Sequence, residues 1–250
     1  MAVKITNNTI IIGLVVQPSD FTGLVKHHPV KLSEIRELEH KASDLRAAGF
    51  PEEQLASFIE RVCRFGNFPG IAGRVLKRND LSVIRSQFVS AANALNSDVP
   101  DVQGALREIN KIRGLGKPSF ASKHLRFLRP EVCPVLDRTI SKHLQYPLDE
   151  YGYKQFSDDC LRIAETLQQH GVSNPMGRES GKWFAADVEM ALFQYLREPS
   201  SSIALLTRNF VYGEWRNGDT LLPRLYSEHQ GQRLRLFGAS FGERTGPGIG

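Results

Sequence analysis

Cysteine is scarce in this chain of 250 residues. Cys63, Cys133 and Cys160 are odd in number, far apart and without a CxxC pair, which argues against a disulfide framework and leaves too few thiolates for an iron–sulfur cluster. They read as small core residues in a reducing compartment. Long hydrophobic runs are lacking too. The strongest near the start, residues 10–16 (IIIGLVV), is interrupted by Gly13 and is too short to span a bilayer. Lys4 is the only basic residue ahead of it and no small-residue cleavage site follows, so neither a membrane span nor a secretory signal is expected. We read it as an early strand or buried turn of a cytoplasmic protein. The histidines, His27 and His28 included, lack the helical pairing or cysteine partners of a zinc site, so no metal ligand is assigned. With no P-loop, dinucleotide fingerprint or nucleophile elbow, nucleotide-dependent chemistry is not expected and no cofactor is assigned.

A large excess of one charge is missing as well, since 32 Lys and Arg against 27 Asp and Glu leave only +5. The distribution says more than the sum. Between Arg107 and Lys142 stand nine positive and three negative residues, a window of +6 against −1 for everything else. A basic footprint confined to one stretch suits contact with phosphates, because neutralising them and releasing counterions supplies most non-specific nucleic-acid affinity. A solvated helix face would carry the same charges, so charge alone leaves both readings open.

What the chain has in quantity is helical periodicity. Apolar positions recur at spacings of three and four through segments separated by Gly, Pro or Asn, and strand-like alternation is rare. The pattern predicts helices over residues 32–48, 51–65, 82–95, 102–112, 118–128, 137–144, 153–170 and 182–196. Val102, Ala105, Leu106, Ile109 and Ile112 form one stripe and Phe120, Ala121, Leu125 and Leu128 the next, as two halves of a packed αα-hairpin over 102–128. Past Pro199 come a serine run and scattered glycines, ending glycine-rich over 238–250, so 199–250 is expected to be an irregular extension. The expected fold class is mostly α, with one helical domain over 1–198.

The turn of that hairpin carries the chemistry. Gly114 and Gly116 reach dihedrals closed to residues with a Cβ, so the chain can reverse sharply around Leu115 and turn successive N–H groups toward an anion. Pro118 suits the first turn of the next helix, whose N-terminal end is positive, and Lys117 adds a full charge. A phosphate could be held there with no base being read. An ordinary helix–helix turn would also use these glycines. Asp137 opens the following helix at 137–144, where it can cap backbone N–H groups and can also stabilise a developing positive charge.

Together, Gly114-Leu115-Gly116, Ala121, the loop 129–133 (Arg-Pro-Glu-Val-Cys) and Pro134-Val135-Leu136-Asp137 resemble the helix-hairpin-helix superfamily of DNA glycosylases, in particular its 8-oxoguanine glycosylase-like group. The resemblance covers about 45 residues. It implies a helix-hairpin-helix glycosylase fold with two helical subdomains and the loop and helix over 129–145 as the catalytic segment. It further implies that the protein binds double-stranded DNA, flips out a damaged or modified base and cleaves its N-glycosidic bond. Asp137 would stabilise the sugar cation or orient the nucleophile. The hairpin residues Gly114, Leu115, Gly116, Lys117 and Ser119, together with Lys123, would meet the DNA. The family analogy also admits a structural monovalent cation at the hairpin.

One departure matters. Bifunctional members carry a lysine two residues before the alanine, which attacks the sugar and forms a Schiff base. Counting from Gly116 puts Pro118 at that place, and counting back from Ala121 puts Ser119 there. The sequence therefore favours a monofunctional enzyme using water, with Lys117 or Lys123 as the amine only if the protein is a lyase. In the loop 64–70, Asn67 could bond an orphaned base and Phe68 could wedge into the duplex, although an aromatic turn packed on itself fits as well. Trp183 and Asp187 are candidates for the base pocket, and Trp183 fits a core position too. The base could be an oxidised purine, an alkylated base or a hypermodified base of foreign DNA, the last making this a defence rather than a repair enzyme. The alternative class is a non-catalytic DNA clamp with Asp137 serving only as a cap.

Overall fold

The computed structural model describes residues 4–6, 9–12 and 14–197. The described residues hold ten α-helices and one small sheet, so the protein is mostly α, as its periodicity predicts. The expected extension over 199–250 lies outside the described residues. The early apolar run forms an antiparallel sheet of β1 (Lys4–Thr6), β2 (Thr9–Ile11) and β3 (Val15–Val16), with Ile5 opposite Ile10 and Ile10 opposite Val16. The helices follow as α1 (Phe21–Lys26), α2 (Leu32–Ala47), α3 (Glu52–Phe65), α4 (Gly70–Arg78), α5 (Leu81–Leu95), α6 (Val102–Asn110), α7 (Ser119–Leu128), α8 (Arg138–Leu144), α9 (Glu150–Gln169) and α10 (Ala185–Arg197).

Two of these escape sequence periodicity. Helix α1 has 6 residues, and α4 opens at Gly70 with Gly73 inside, so neither offers enough apolar repeats to register. Helix α9 begins three residues before the predicted start at 153, because Asp149 caps it, its Oδ1 accepting from the Gly152 N–H at 2.8 Å. Gly152 is required there, since a Cβ would run into the Pro147 carbonyl.

Helix α7 lies at the centre. It packs against α2, α3 and α6, and Arg126 reaches Met190 of α10 on the remaining side, its Nη2 3.1 Å from the sulfur. Every residue from Phe120 to Leu128 is buried. A single wet face was expected here, but surrounding elements cover the helix all round, so each polar group needs a partner inside. His124, fully buried, donates from Nδ1 to the Phe120 carbonyl at 2.6 Å, and burial pulls it down to about 4. Ser122 accepts from the Leu136 N–H at 3.1 Å and so holds the loop before Asp137 against α7.

Arg126 has no exposed surface and donates to Glu39 at 3.1 Å. Burial opposes the Glu39 charge, but Arg178 and Arg126 outweigh it and hold its carboxyl below the usual range. Arg178 continues the network by donating to Glu39 at 2.9 Å and to Asp187 at 2.7 Å, and Asn174 donates to Asp187 at 2.8 Å. This network ties α2, α7 and α10 together, and removing one member would cost about 3–5 kcal/mol by stranding a buried charge. The apolar core is continuous from Ile10 to Leu192, so the expected division into two helical subdomains is not marked by a break in it. All three cysteines are buried and free within it. No helix of the described residues is long and apolar enough to cross a membrane.

Candidate active site

The hairpin forms where the sequence places it. Gly114 and Gly116 have φ of +85° and +90°, and Leu115, 1% exposed, plugs the turn into the core. Arg113 and Lys117 are left in solvent. A feature the sequence did not announce fixes the turn from outside. Asn79, just past α4, donates to the Arg113 carbonyl at 2.9 Å and accepts from its N–H at 3.0 Å, while Arg74 donates to the Gly114 carbonyl at 2.9 Å. Helix α4 thereby brings exposed Arg74 and Arg78 against Gly114, and Arg78 shares an open groove with Asn110, Lys111, Arg113 and Lys117. Two cations counted in the sequence footprint do not belong to this face, because Arg126 and Lys123 are buried. Substituting Lys117 with Ala should weaken duplex binding about equally for every sequence and lower the salt slope of log K by about 1, measured by fluorescence anisotropy across a salt series.

Beside the hairpin opens a cavity of about 440 Å³. Gly116, Lys117 and Ser119 stand on its hairpin side, Phe65 to Phe68 and Ile71 on a second, Asp137 to Thr139 on a third, and Glu189, Met190 and Phe193 of α10 on a fourth. Asp137 caps α8, its Oδ1 accepting from the N–H groups of Thr139 at 2.9 Å and Ile140 at 3.0 Å. That leaves Oδ2 toward the cavity, 4.0 Å from the Lys123 ammonium nitrogen. Capping thus engages only one oxygen of this carboxylate.

Lys123 was expected at the DNA surface, but α7 carries it inward, where its side chain is 11% exposed. Its stem crosses Phe120, with Nζ 5.1 Å from the ring centroid, and Nζ donates to Ser119 Oγ at 3.1 Å. Gly66 makes room for both: a Cβ there would lie 2.8 Å from the Phe120 ring and 3.2 Å from the Lys123 Cδ. Burial pulls the Lys123 ammonium below its ordinary range, opposed by the charges of Asp137 and Glu189. Glu189, 6% exposed, is pushed up to about 8 by burial, against Arg126 and with Asp137 adding to the rise. His28 at the rim is pulled down to about 4 chiefly by burial, and it leans on Phe193 with ring centroids 6.1 Å apart. The site thus holds a depressed amine, a capped carboxylate and a raised carboxyl within one apolar wall. Groups so displaced concentrate where proton transfer or nucleophilic attack is performed.

No family model, curated protein or solved structure matches this chain.

Asn67 and Phe68 take up positions that suit a wedge. Asn67 adopts a left-handed φ of 61°, which Asn tolerates, ending α3 and throwing Phe68 outward. Phe68 is 62% exposed, resting edge-on against Phe120 with ring centroids 5.9 Å apart at the cavity mouth. Trp183 and Asp187, expected in a base pocket, are not brought to the cavity. Trp183 is buried and donates to the Val172 carbonyl at 2.7 Å, packing edge-on against Phe21, and Asp187 belongs to the Arg178 network. The pocket wall is instead formed one turn further along α10. Its signal in the sequence is Glu189, the second acid after Asp187 in the otherwise apolar, buried run 185–192.

Proposed function

We propose that this protein is a DNA glycosylase which extrudes a damaged or modified base into the cavity and severs its N-glycosidic bond, with Lys123 as the attacking amine and Asp137 as the stabilising carboxylate. The observation that carries the reading is the buried Lys123 with Asp137 4.0 Å away, in a cavity walled on one side by the basic hairpin. A lysine buried beside a half-buried carboxylate 4.0 Å away costs stability and serves no packing role that methionine would not serve better. A depressed pKa leaves more of its amine unprotonated near neutral pH, which is the form that attacks a sugar C1′. Asp137, held in place by two N–H donors, faces the positive charge that grows on the sugar as the base departs. This geometry supports the amine over the water-only route that residue counting favours, because Lys123 reaches the site from a later turn of α7 than the counted positions. A non-catalytic clamp would use the hairpin and the cap, but would leave the inward lysine without a purpose.

Duplex DNA is held by Lys117, Arg113 and the α4 arginines through its phosphates, and Phe68 fills the gap left by the extruded nucleotide. The test of the amine is covalent capture. With sodium borohydride, the wild-type protein should become linked to a duplex carrying an abasic site, with the adduct mapped to Lys123 by peptide mass. An adduct on another residue, or none, would remove the amine role. Phe68→Ala should lower kcat/KM on a base-bearing duplex by roughly 5- to 150-fold, the equivalent of about 1–3 kcal/mol of lost stacking, while leaving capture of a preformed abasic site nearly unchanged.

A further inference from the structure

The cavity contains two carboxyl groups of opposite environment, and base excision as proposed above uses only one of them. Asp137 sits at a helix start with two N–H donors and the Lys123 charge nearby. Glu189 lines the same cavity from α10, between Val188 and Met190 in a stretch where neighbouring side chains are buried. Resting on the glycosylase reading, we propose that Glu189 is the general acid of base release, giving its proton to the departing base.

Acid-assisted cleavage of a glycosidic bond requires a neutral acid for the leaving group and a negative carboxylate for the sugar cation, and the lining of one cavity holds a candidate for each. The charged and titratable groups facing Glu189 come from three elements: Lys123 and Arg126 on α7, Asp137 at the start of α8, and Tyr153 and Cys160 on α9. Burial is the largest influence and favours the neutral form, and Asp137 favours it further. Arg126 and Lys123 oppose it, as does the Val135 N–H, yet the carboxyl remains raised to about 8. Arg126 already pairs with Glu39, which limits how far it can serve Glu189.

The step balances as follows. The C1′–N bond breaks and its electron pair passes to the base, which takes the Glu189 proton and leaves neutral. The Lys123 nitrogen gives an electron pair to C1′. The proton this nitrogen sheds on becoming a secondary amine returns the Glu189 carboxylate to its acid form. Water in place of the amine would shed a proton in the same way.

Single-turnover release should be measured from pH 6 to 10 for wild type and Glu189→Gln, on duplexes carrying 8-oxoguanine, hypoxanthine or 5-hydroxymethyluracil. Glutamine has nearly the same shape and still makes hydrogen bonds, but it cannot give up a proton. Wild-type release should decline above about pH 8, and the variant should be slower by roughly 10²- to 10⁴-fold near pH 7 without that alkaline limb. Borohydride capture of an abasic duplex, where no base has to leave, should persist in the variant and shows that it is folded. Retained release by Glu189→Gln would reduce Glu189 to a hydrogen-bonding contact and overturn the proposal. If the amide disturbs the pocket and capture is lost, wild type alone decides, because release that stays flat from pH 8 to 10 overturns it as well. Failure of wild type to release any of these bases while capturing the abasic duplex would overturn this inference but spare the Lys123 reading; failure in both assays would sink the glycosylase reading itself.

Discussion

Asp137→Asn should cut the rate of base release by about 10²- to 10⁴-fold while duplex affinity changes less than twofold. Asparagine caps helices about as well as aspartate, so the bonds to Thr139 and Ile140 can be kept and α8 should stay formed. What the substitution removes is the negative charge 4.0 Å from Lys123, which the proposed reaction uses to stabilise the sugar cation. Thermal unfolding and fluorescence anisotropy on the same preparation separate the two effects. A variant that unfolds at the wild-type temperature, binds normally and still releases base at the wild-type rate would leave Asp137 as a cap and nothing more.

Lys123→Met should abolish borohydride capture and strand cleavage at abasic sites, and at the same time raise the midpoint of thermal unfolding. The sign of the stability change follows from the depressed ammonium. Because burial lowers the folded-state pKa below the unfolded one, folding is penalised as soon as pH falls below the unfolded value, the penalty grows until pH reaches the folded value, and it persists at neutral pH. Methionine has similar length, packs over Phe120 and carries no charge to desolvate, so the gain should fade as the pH is raised toward 10.5, the ordinary lysine value. Wild-type capture should correspondingly increase with pH as the amine loses its proton. Calorimetric scans at pH 7 and pH 10 check the first statement, and capture rates over the same range check the second. A Met variant less stable than wild type at pH 7 would mean that Lys123 is held by more than the cavity accounts for.

These expectations depend on residues that differ in how openly the sequence displays them. The hairpin was legible because Gly114 and Gly116 perform a local task, positive φ, that almost no other residue performs, and the structure finds both there. Asp137 was legible for the same reason, since capping is decided within three residues of chain. Lys123 and Arg126 were misread as surface cations. Periodicity assigns a wet face to any helix with polar residues, and nothing local to α7 reveals that α2, α3, α6 and α10 enclose it. The same blindness to distant partners made Asp187 a pocket candidate, because its partner Arg178 and the bridging Glu39 lie far apart in sequence. Glu189 left a trace, one of two acids in an apolar run, but its meaning depends on a cavity assembled from segments far apart in the chain. The Asn79 clamp on the hairpin left no trace, since one asparagine after a helix is ordinary.

The network of Arg126, Glu39, Arg178 and Asp187 also clarifies why the cavity can tolerate its own unfavourable charges. Helices α2, α7 and α10 are fixed to one another by bonds away from the cavity, so Lys123 and Glu189 can be held in environments they would otherwise distort. Preorganisation of this kind is what a catalytic pair needs, since groups that must move into place lose their electrostatic advantage.

The most direct measurement is release of free base, identified by mass, from a panel of duplexes carrying 8-oxoguanine, uracil, alkylated and hypermodified bases, comparing wild type with Asp137→Asn under single-turnover conditions. The account predicts release by wild type from at least one duplex and loss of that release in the variant. Tight binding to the duplexes with no base released from any of them would contradict it, and would leave the hairpin as a phosphate clamp without chemistry behind it.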